Sequence, residues 1–446
     1  MAKKYLIRRR TFTNGVLAAL GSGLAPNPAR ALLGSLKFEA RNKLNVLLVT
    51  ADDMDWESSG LFNPQNAHIT PNINQLGKEG VSFKRSHVVI SACWQSRTAM
   101  FTGRFPHRNG TTAFRAGDED IAVLPELLQR AGYLTGLAGK TTHTLPNRHD
   151  TFDRIWNERD LGGGRSPDRY YQVTKAFIAE AKNQGKPFFL NLNSTDPHRP
   201  FSGSPEDKDL TVQMLNLASS IDPFDTDILK ARAIGERIYD PSEIYLPKFL
   251  PDIPEIRDEL SFYYSSVARA DKMVGRVMEA LAESGMDNNT LVIFLSDNGI
   301  HMPFAKANVY PFSTAASLII RCPSIVPARE VDDKNFINTV DLMPTILDFL
   351  DMDKIDHLDG NSFKGLLVDG IARKHMQNCF TYRHEDHPMR AAHDAEFSYI
   401  YNLWSDGKTE FQKFFLNNPS ADAMRRHSKD DPAIAARYNH FVYRQK

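Results

Sequence analysis

One segment of the chain combines a thiol, a hydroxyl and a guanidinium at spacings that suit chemistry on an anion. It spans residues 93–104 and reads C-W-Q-S-R-T-A-M-F-T-G-R. The stretch after Cys93 is helix-prone, so Cys93 is predicted near a helix N-terminus, where backbone N–H groups and the helix dipole favour negative charge. Arg97 follows one turn later and can hold a carboxylate, phosphate or sulfate with two parallel hydrogen bonds. A small buried cysteine followed by a surface arginine is the alternative for this spacing alone.

Two acidic clusters directly follow two apolar runs. Asp52 and Asp53 come after V-L-L-V-T-A, and Asp297 and Asn298 come after L-V-I-F-L-S. Ligands of open α/β sheets bind beyond the carboxyl ends of the strands, so both clusters are expected to meet in one place. Oxygen donors without a thiolate suit a hard cation such as Ca²⁺ or Mg²⁺. The alternative is that each cluster forms a strand-ending turn or a helix cap.

The elements that must position these residues alternate between strands and helices. The predicted strands are Asn45–Thr50, Tyr133–Ala138, Pro187–Asn193, Leu291–Ser296 and Ser317–Arg321. The predicted helices run from Thr70-Pro71 to Gly80, over Leu124–Ala131, over about 25 residues from Asp258, and over Val340–Leu350. This order predicts an α/β fold whose mostly parallel central sheet has helices on both faces.

Two parts of the chain depart from that alternation. Residues 200–256 are rich in Pro, Asp and Ser, which is typical of a surface excursion that shapes a cleft. After about residue 375 the strands become short, as over Phe397–Leu403, and a small antiparallel C-terminal α+β subdomain is predicted.

Composition narrows the range of functions. Residues 1–31 hold six basic and no acidic residues, and without them the chain has 48 basic and 54 acidic residues. That balance argues against a general nucleic-acid-binding protein. No apolar run approaches the roughly 20 residues of a membrane-spanning helix. The chain has three cysteines, too few for a disulfide scaffold: Cys93, Cys322 and Cys379. The sequence leaves open whether Cys322 and Cys379 form a disulfide bond.

The first 31 residues have the features of an export signal. Arg9-Arg10 opens a twin-arginine pattern, Gly15–Ala25 is a short apolar stretch, and Ala29-Arg30-Ala31 forms a small-x-small cleavage site. A disordered basic tail is the alternative. The pattern predicts export by the twin-arginine route to the periplasm or the exterior.

The segment around Cys93 resembles the signature of the sulfatase family, C-x-P-S-R followed four residues later by T-G. Cys93, Ser96, Arg97 and Thr102-Gly103 occupy the matching places. In that family the cysteine is converted by a formylglycine-generating enzyme into formylglycine (3-oxoalanine). The hydrated aldehyde attacks sulfur and then expels sulfate by re-forming the aldehyde. The resemblance therefore implies a formylglycine at position 93 and that enzyme as a maturation partner.

The resemblance extends from Asn45 to the end of the chain and implies roles for further residues. One calcium ion per chain is expected on Asp52, Asp53, Asp297 and Asn298 with the modified side chain of Cys93. The anion is expected among a set of basic side chains, namely Arg97, Lys140, His143, His198 and Lys306. Of these, His198 is expected to contact the sulfate or protonate the leaving group.

The chain departs from the family pattern in three places. Gln95 replaces the proline of the signature, which bears on recognition by the modifying enzyme. The family motif G-K-x-H is stretched by one residue, so either His143 or Thr142 takes the histidine position. The family's usual continuation, E-L-Y-D-L-x-x-D-P with a terminal helix, is not found before Lys446, so a truncated C-terminal subdomain is expected.

Residues 1–31 are therefore assigned to a twin-arginine signal peptide, and the resemblance implies a sulfatase catalytic domain at 42–374 and a C-terminal subdomain at 375–446. It favours the sulfamidase (heparan N-sulfatase) branch and a sulfated sugar or glycosaminoglycan fragment as substrate. A phosphodiesterase or phosphonate hydrolase of the same superfamily and a silent, sulfatase-like binding protein are the alternatives. The histidine-rich stretch at 384–387, with His375 and His393 nearby, is interpreted as a polar loop rather than a second metal site. The oligomeric state stays open.

Overall fold

A computed structural model describes residues 43–111, 117–118, 120–209, 239–373, 379–383, 387–412 and 416–444. These residues belong to one compact unit. The predicted signal peptide, His375, residues 384–386 and most of the excursion at 200–256 lie outside the described residues. Both predicted domain boundaries also fall outside them, so the division of the chain into domains stays a prediction.

The strands and helices are numbered in chain order. The strands are β1 Asn45–Ala51, β2 Val81–Phe83, β3 Ser86–His87, β4 Leu134–Ala138, β5 Arg154–Trp156, β6 Phe188–Asn193, β7 Thr290–Ser296, β8 Leu318–Arg321, β9 Ile337–Asn338, β10 Cys379–Arg383, β11 Met389–His393 and β12 Ser398–Asn402. The helices are α1 Pro71–Lys78, α2 Cys93–Thr102, α3 Pro106–Asn109, α4 Leu124–Arg130, α5 Pro167–Asn183, α6 Pro254–Glu283, α7 Pro311–Thr314, α8 Leu342–Phe349, α9 Lys364–Asp369, α10 Pro419–His427 and α11 Pro432–Tyr443.

The central sheet has the strand order β2-β8-β7-β1-β6-β4-β5. The five strands from β7 to β5 are parallel to their neighbours, whereas β8 pairs antiparallel with both β7 and β2. Every residue of β1, β6 and β7 is buried, as expected of strands covered on both faces. The carboxyl ends of β7, β1, β6 and β4 therefore line up along one edge of the sheet.

Helices cover both faces of this sheet. Phe188 and Leu190 of β6 belong to one apolar cluster with residues of α5 and α6, such as Phe177 and Val267. Because side chains alternate along a strand, Phe189 points to the other face, where its ring meets that of Phe101 in α2 at a centroid distance of 6.4 Å. The predicted mostly parallel α/β architecture is confirmed.

The predicted elements differ from the structure mainly at their ends. The long helix α6 begins at Pro254 rather than Asp258 and has 30 residues, because Ile253-Pro254 supplies an extended residue and a proline for its first turn. The helix predicted at Val340–Leu350 is split into a 3₁₀ turn at Thr339–Asp341 and α8. Helix α5 was not predicted, although Ser166 and Pro167 form a standard start signal.

A small antiparallel sheet follows the strands of the central sheet in the chain, as predicted. It has the order β10-β11-β12, and α10 and α11 complete the C-terminal region. The longest described helix, α6, carries charged residues along its exposed side, and no helix in the described ranges is long and apolar enough to cross a bilayer. Cys322 is a buried free thiol, and the side chain of Cys379 lies outside the description.

Candidate active site

The acidic clusters meet where the sequence analysis expected them. β1 and β7 are paired in register, with Ala51 beside Ser296, so Asp52-Asp53 and Asp297 leave the sheet together. The backbone N–H of Asp53 donates to Oδ1 of Asp297 over 3.1 Å, and the N–H of Asp297 donates to the carbonyl of Ala51 over 3.2 Å. Asp53 adopts a φ of +64°, a left-handed conformation that turns its carboxylate into the same space. The two strand ends are thereby locked into one acidic turn.

Cys93 is the first residue of α2 and lies against that turn. Its Sγ is 3.4 Å from Oδ1 of Asp52 and 3.7 Å from Oδ1 of Asp53, and Nζ of Lys306 lies 3.4 Å from the sulfur. Burial, reinforced by Asp52, raises the pKa of the Cys93 thiol well above its usual value. An unmodified Cys93 is therefore a protonated thiol and a weak nucleophile at neutral pH.

Arg97 lies beneath the acidic turn with 1% of its surface exposed. Its Nε and one terminal nitrogen hold Oδ2 of Asp297 at 3.0 and 2.9 Å, which is a two-pronged pair. The other terminal nitrogen donates to Oγ1 of Thr50 over 2.8 Å and to Oδ1 of Asn193 over 2.6 Å. The guanidinium of Arg97, which was expected to bind an anion, thus faces the protein interior, where it orients Asp297.

Two lysines pair with the two neighbouring carboxylates that directly follow β1. Lys140, which follows β4, places Nζ 2.6 Å from Oδ2 of Asp52. Lys306 places Nζ 2.6 Å from Oδ2 of Asp53 and also contacts Oδ1. Burial disfavours the charge of Lys140, but Asp52 outweighs it and raises the pKa of the lysine. Burial alone would raise the pKa of Asp52. The surrounding cations, of which Lys140 has the largest effect, outweigh burial and hold the pKa of Asp52 well below its usual range.

His198 approaches Asp53 from the loop after β6. Its Nε2 lies 3.7 Å from Oδ2 of Asp53, and its Nδ1 is 2.6 Å from the carbonyl of Arg199. A carbonyl only accepts, so Nδ1 carries the hydrogen and Nε2 faces the site. Burial, together with Lys306, lowers the pKa of His198 well below its usual value. In this arrangement the ring is neutral and offers a lone pair toward Asp53.

His143 is the residue of the stretched G-K-x-x-H segment that faces the site. It ends a 3₁₀ turn, its ring stacks on Trp94 at a centroid distance of 6.1 Å, and it interacts electrostatically with Lys140 and Asp52. Thr142, the other candidate for the family histidine position, is exposed. Burial and the charge of Lys140 lower the pKa of His143 to about 4.

A second histidine, His301, lies beside His198 and was not predicted from the sequence. Nδ1 of His301 is 4.0 Å from Oδ2 of Asp53, and the two imidazole rings meet edge to face at a centroid distance of 6.1 Å. The carbonyl of His301 also accepts from Nε of Arg199 over 3.1 Å. The position of His301, three residues after Asn298 of the acidic cluster, was the sequence feature from which its place in the site could have been predicted.

A buried ion-pair cluster supports the turn that carries His198. Asp196 accepts from Nε and a terminal nitrogen of Arg269 at 2.6 and 2.9 Å and also pairs with Arg165. Arg165 donates in addition to the carbonyl of His198 over 2.9 Å. All three charged side chains are at most 6% exposed. Nothing in the local sequence around Arg165 or Arg269 indicates this role.

The oxygen donors among the described residues fit a hard cation. Asp52, Asp53, Cys93 and His198 offer ligand atoms within 4.8 Å of one another. Oδ1 of Asn298 is buried without a hydrogen-bond partner among the described residues, while its Nδ2 donates to Oδ1 of Asp53 over 2.6 Å. A buried amide oxygen beside carboxylates is the kind of ligand that Ca²⁺ or Mg²⁺ takes. This acidic cluster is therefore able to hold a metal ion.

Comparison with known proteins agrees with this geometry. The family profile described as "Sulfatase" matches residues 44–352. The chain is 29% identical over 433 residues to human N-sulphoglucosamine sulphohydrolase, covering 90% of this chain and 82% of that protein. It is 23% identical over 459 residues to N-acetylglucosamine-6-O-sulfatase of Bacteroides thetaiotaomicron, covering 86% of this chain and 80% of that protein.

Solved structures share the fold. A structure in complex with its substrate D-glucosamine-2-N,6-O-disulfate superimposes with a TM-score of 0.59 at 17% identity, covering 89% of this chain and 98% of that one. The family match spans more than half of the chain and includes the acidic turn, Cys93 and both lysines. The chain belongs to the sulfatase family and is a sulfatase, an enzyme that hydrolyses sulfate esters or sulfamates.

Proposed function

We propose that this sulfatase removes sulfate from a sulfated amino sugar or glycosaminoglycan fragment, with a formylglycine made from Cys93 as its nucleophile and one bound calcium ion. The observation that carries the proposal is the position of Cys93 Sγ, between the carboxylates of Asp52 and Asp53 and the ammonium of Lys306. The similarity to an N-sulphoglucosamine sulphohydrolase supports a sulfamate as the first substrate to test.

The surroundings of the thiol support its conversion. A buried thiol beside carboxylates resists ionisation, so the site is poorly suited to thiolate chemistry. A hydrated aldehyde at this position would present hydroxyl oxygen to the same carboxylates and to Lys306. The proposal needs a formylglycine-generating enzyme that accepts Gln95 in place of proline.

Calcium suits the donor set of the acidic turn. Asp52, Asp53, Asp297 and Asn298 would hold it through oxygen atoms. When bound, the ion withdraws electron density from a sulfate oxygen and offsets the negative charge of the transition state. Arg97 fixes the orientation of Asp297, so that this carboxylate need not reorganise during the reaction.

Each of the remaining basic side chains has its own role in the proposed reaction. Lys140 and Lys306 stand on either side of the acidic turn and would neutralise the peripheral oxygens of the sulfate. His198 keeps Nδ1 on a backbone carbonyl, which leaves Nε2 free to accept the proton that the attacking hydroxyl gives up and to deliver it to the departing amine or alkoxide. His143, stacked on Trp94, would border the sulfate from the side of Lys140.

We further propose that the protein is exported through the twin-arginine route and acts in the periplasm or outside the cell. The order of signal elements in residues 1–31 supports this. That route carries folded proteins, which suits an enzyme whose site is modified and loaded before export.

Three substrates test the proposed reaction on enzyme co-expressed with a formylglycine-generating enzyme. Sulfate release is measured from glucosamine N-sulfate and from glucosamine 6-O-sulfate, and nitrophenol release from an aryl phosphodiester. We expect turnover of a sulfated sugar, with the N-sulfate preferred, and loss of that turnover in Cys93→Ala.

Two results would contradict the proposal. A preference for the phosphodiester would favour the phosphodiesterase or phosphonate hydrolase alternative. Sulfate binding without turnover of any substrate would favour a silent binding protein.

A further inference from the structure

The loop that carries Lys306 is held in an unfavourable backbone conformation. Phe304 has a φ of +71° and Ala307 a φ of +58°, and neither is a glycine. The N–H of Ala307 donates to the carbonyl of Ser91 over 3.0 Å, which ties the loop to the segment just before Cys93. Contacts from elsewhere in the chain must therefore stabilise this loop.

Such contacts come from Arg444, immediately after helix α11. Its side chain is buried, with 2% of the residue exposed. One terminal nitrogen donates to the hydroxyl of Tyr310 over 3.0 Å, and the other contacts Oδ1 of Asn308. The guanidinium also lies within 5.2 to 5.9 Å of the centroids of five aromatic rings, those of Phe304, Tyr310, Trp404, Phe411 and Phe441.

The contact with Asn308 reaches the backbone of Lys306. A guanidinium has only donors, so Arg444 fixes the Asn308 amide with its oxygen toward the guanidinium and its nitrogen away from it. That nitrogen, Nδ2, donates to the carbonyl of Lys306 over 2.9 Å. A continuous path of hydrogen bonds therefore runs from Arg444 through Asn308 to Lys306, whose Nζ contacts Asp53 and Cys93.

We propose that Arg444 is a positioning residue for the sulfatase reaction, which holds Lys306 against Asp53 and Cys93 by fixing Asn308. The proposal rests on the proposed role of Lys306 in binding sulfate. It assigns the C-terminal region a part in catalysis through Arg444, which reaches the acidic turn by way of Asn308 and Lys306. Lysine at 444 would supply a point charge without the fork that engages Asn308 and Tyr310 together, so it should replace arginine only partly.

The test compares Arg444→Gln, Arg444→Lys and a matched control, Arg425→Gln, whose exposed guanidinium pairs with Asp422. Steady-state constants are measured on glucosamine N-sulfate, and binding of inorganic sulfate is measured by calorimetry, well below the melting temperature of each variant. We expect Arg444→Gln to lose about 10-fold or more in kcat/KM and a similar factor in sulfate affinity. Arg444→Lys should lie between it and the wild type, and the control should match the wild type.

The double variant Asn308→Ala/Arg444→Gln separates positioning from a general loss of folding. If Arg444 acts through Asn308, adding Arg444→Gln to Asn308→Ala should cost less than about twofold more, because the path is already broken. A full, multiplicative loss in that background, or an Arg444→Gln enzyme indistinguishable from the control, would overturn the inference. Because sulfate binding does not need turnover, a wild type that binds sulfate but hydrolyses nothing would count against the proposed function only.

Discussion

Replacing Arg97 with methionine removes the cation that holds Asp297 while keeping most of the side-chain volume. In the wild type the guanidinium gives Asp297 two short contacts and also binds Thr50 and Asn193, with 1% of the arginine exposed. Burial, assisted by Asp52, raises the pKa of Asp297 to about 6 even with Arg97 present. In the metal-free enzyme, removal of Arg97 would leave this carboxylate buried with much less compensation.

The size of the effect follows from the cost of an unpaired buried charge. Removing one partner of a buried ion pair costs about 3–5 kcal/mol. Unfolding entropy is about 2.1 cal/mol/K per residue, or about 0.85 kcal/mol/K for a unit of roughly 400 residues. The melting temperature of Arg97→Met should therefore fall by about 4–6 °C, and sulfatase activity should be lost because Asp297 is no longer oriented.

Differential scanning calorimetry of chelated, metal-free protein, with two companion variants, tests this reasoning. Arg154→Gln, which breaks an exposed pair with Glu180, should cost no more than about 1 kcal/mol. Arg97→Met/Asp297→Asn should recover about 2 kcal/mol or more relative to Arg97→Met, because the stranded charge is gone. An Arg97→Met protein that melts within 1 °C of the wild type, or a double variant whose loss equals the sum of the single losses, would refute it.

Three further predictions concern the electrostatics of the active site and of two buried histidines outside it, His87 and His393. Lys140→Ala removes the partner of Asp52, and kcat/KM on glucosamine N-sulfate should fall by about 10²-fold or more; a loss under fivefold would contradict the assignment. Prolonged chelation should abolish activity and lower the melting temperature, and calcium should restore both; full activity in the chelated enzyme would exclude a required ion. Burial lowers the pKa of His87 to about 3 and of His393 to about 4, from 6.5. Both rings are neutral in the folded state, so their contribution to stability is present above pH 6.5 and is lost as pH falls toward 4. His393→Gln should therefore reduce the slope of unfolding free energy against pH by up to about 1.4 kcal/mol per unit, measured by urea titration between pH 6.5 and 4.5; an unchanged slope would contradict this origin.

The sequence was sufficient for the acidic turn because local patterns determine it. The buried runs before Asp52 and Asp297 indicate parallel strands, and parallel strands bring their carboxyl ends to one edge. The start of α2 at Cys93 follows in the same way from a helix-prone stretch. In each case the information lies within a few residues of the functional side chain.

The direction of Arg97 and the presence of His301 depend on contacts that no local pattern encodes. Arg97 has a family position, but its partner Asp297 is 200 residues away in the chain, and spacing alone suits an external anion equally well. The cluster of Arg165, Arg269 and Asp196 joins two loops and the middle of a long helix, so only the fold brings it together. Helix α5 differs from these, because its capping residue and first-turn proline are local signals from which the helix could have been predicted.

The most direct test of the account is peptide mass spectrometry across residues 91–97 of active enzyme from its native host, with sulfatase activity measured on the same preparation. We expect a peptide about 18 Da lighter than the one with an unmodified cysteine, and an aldehyde fraction that scales with activity across preparations. Full activity in a preparation whose Cys93 is entirely an intact thiol would contradict the formylglycine mechanism.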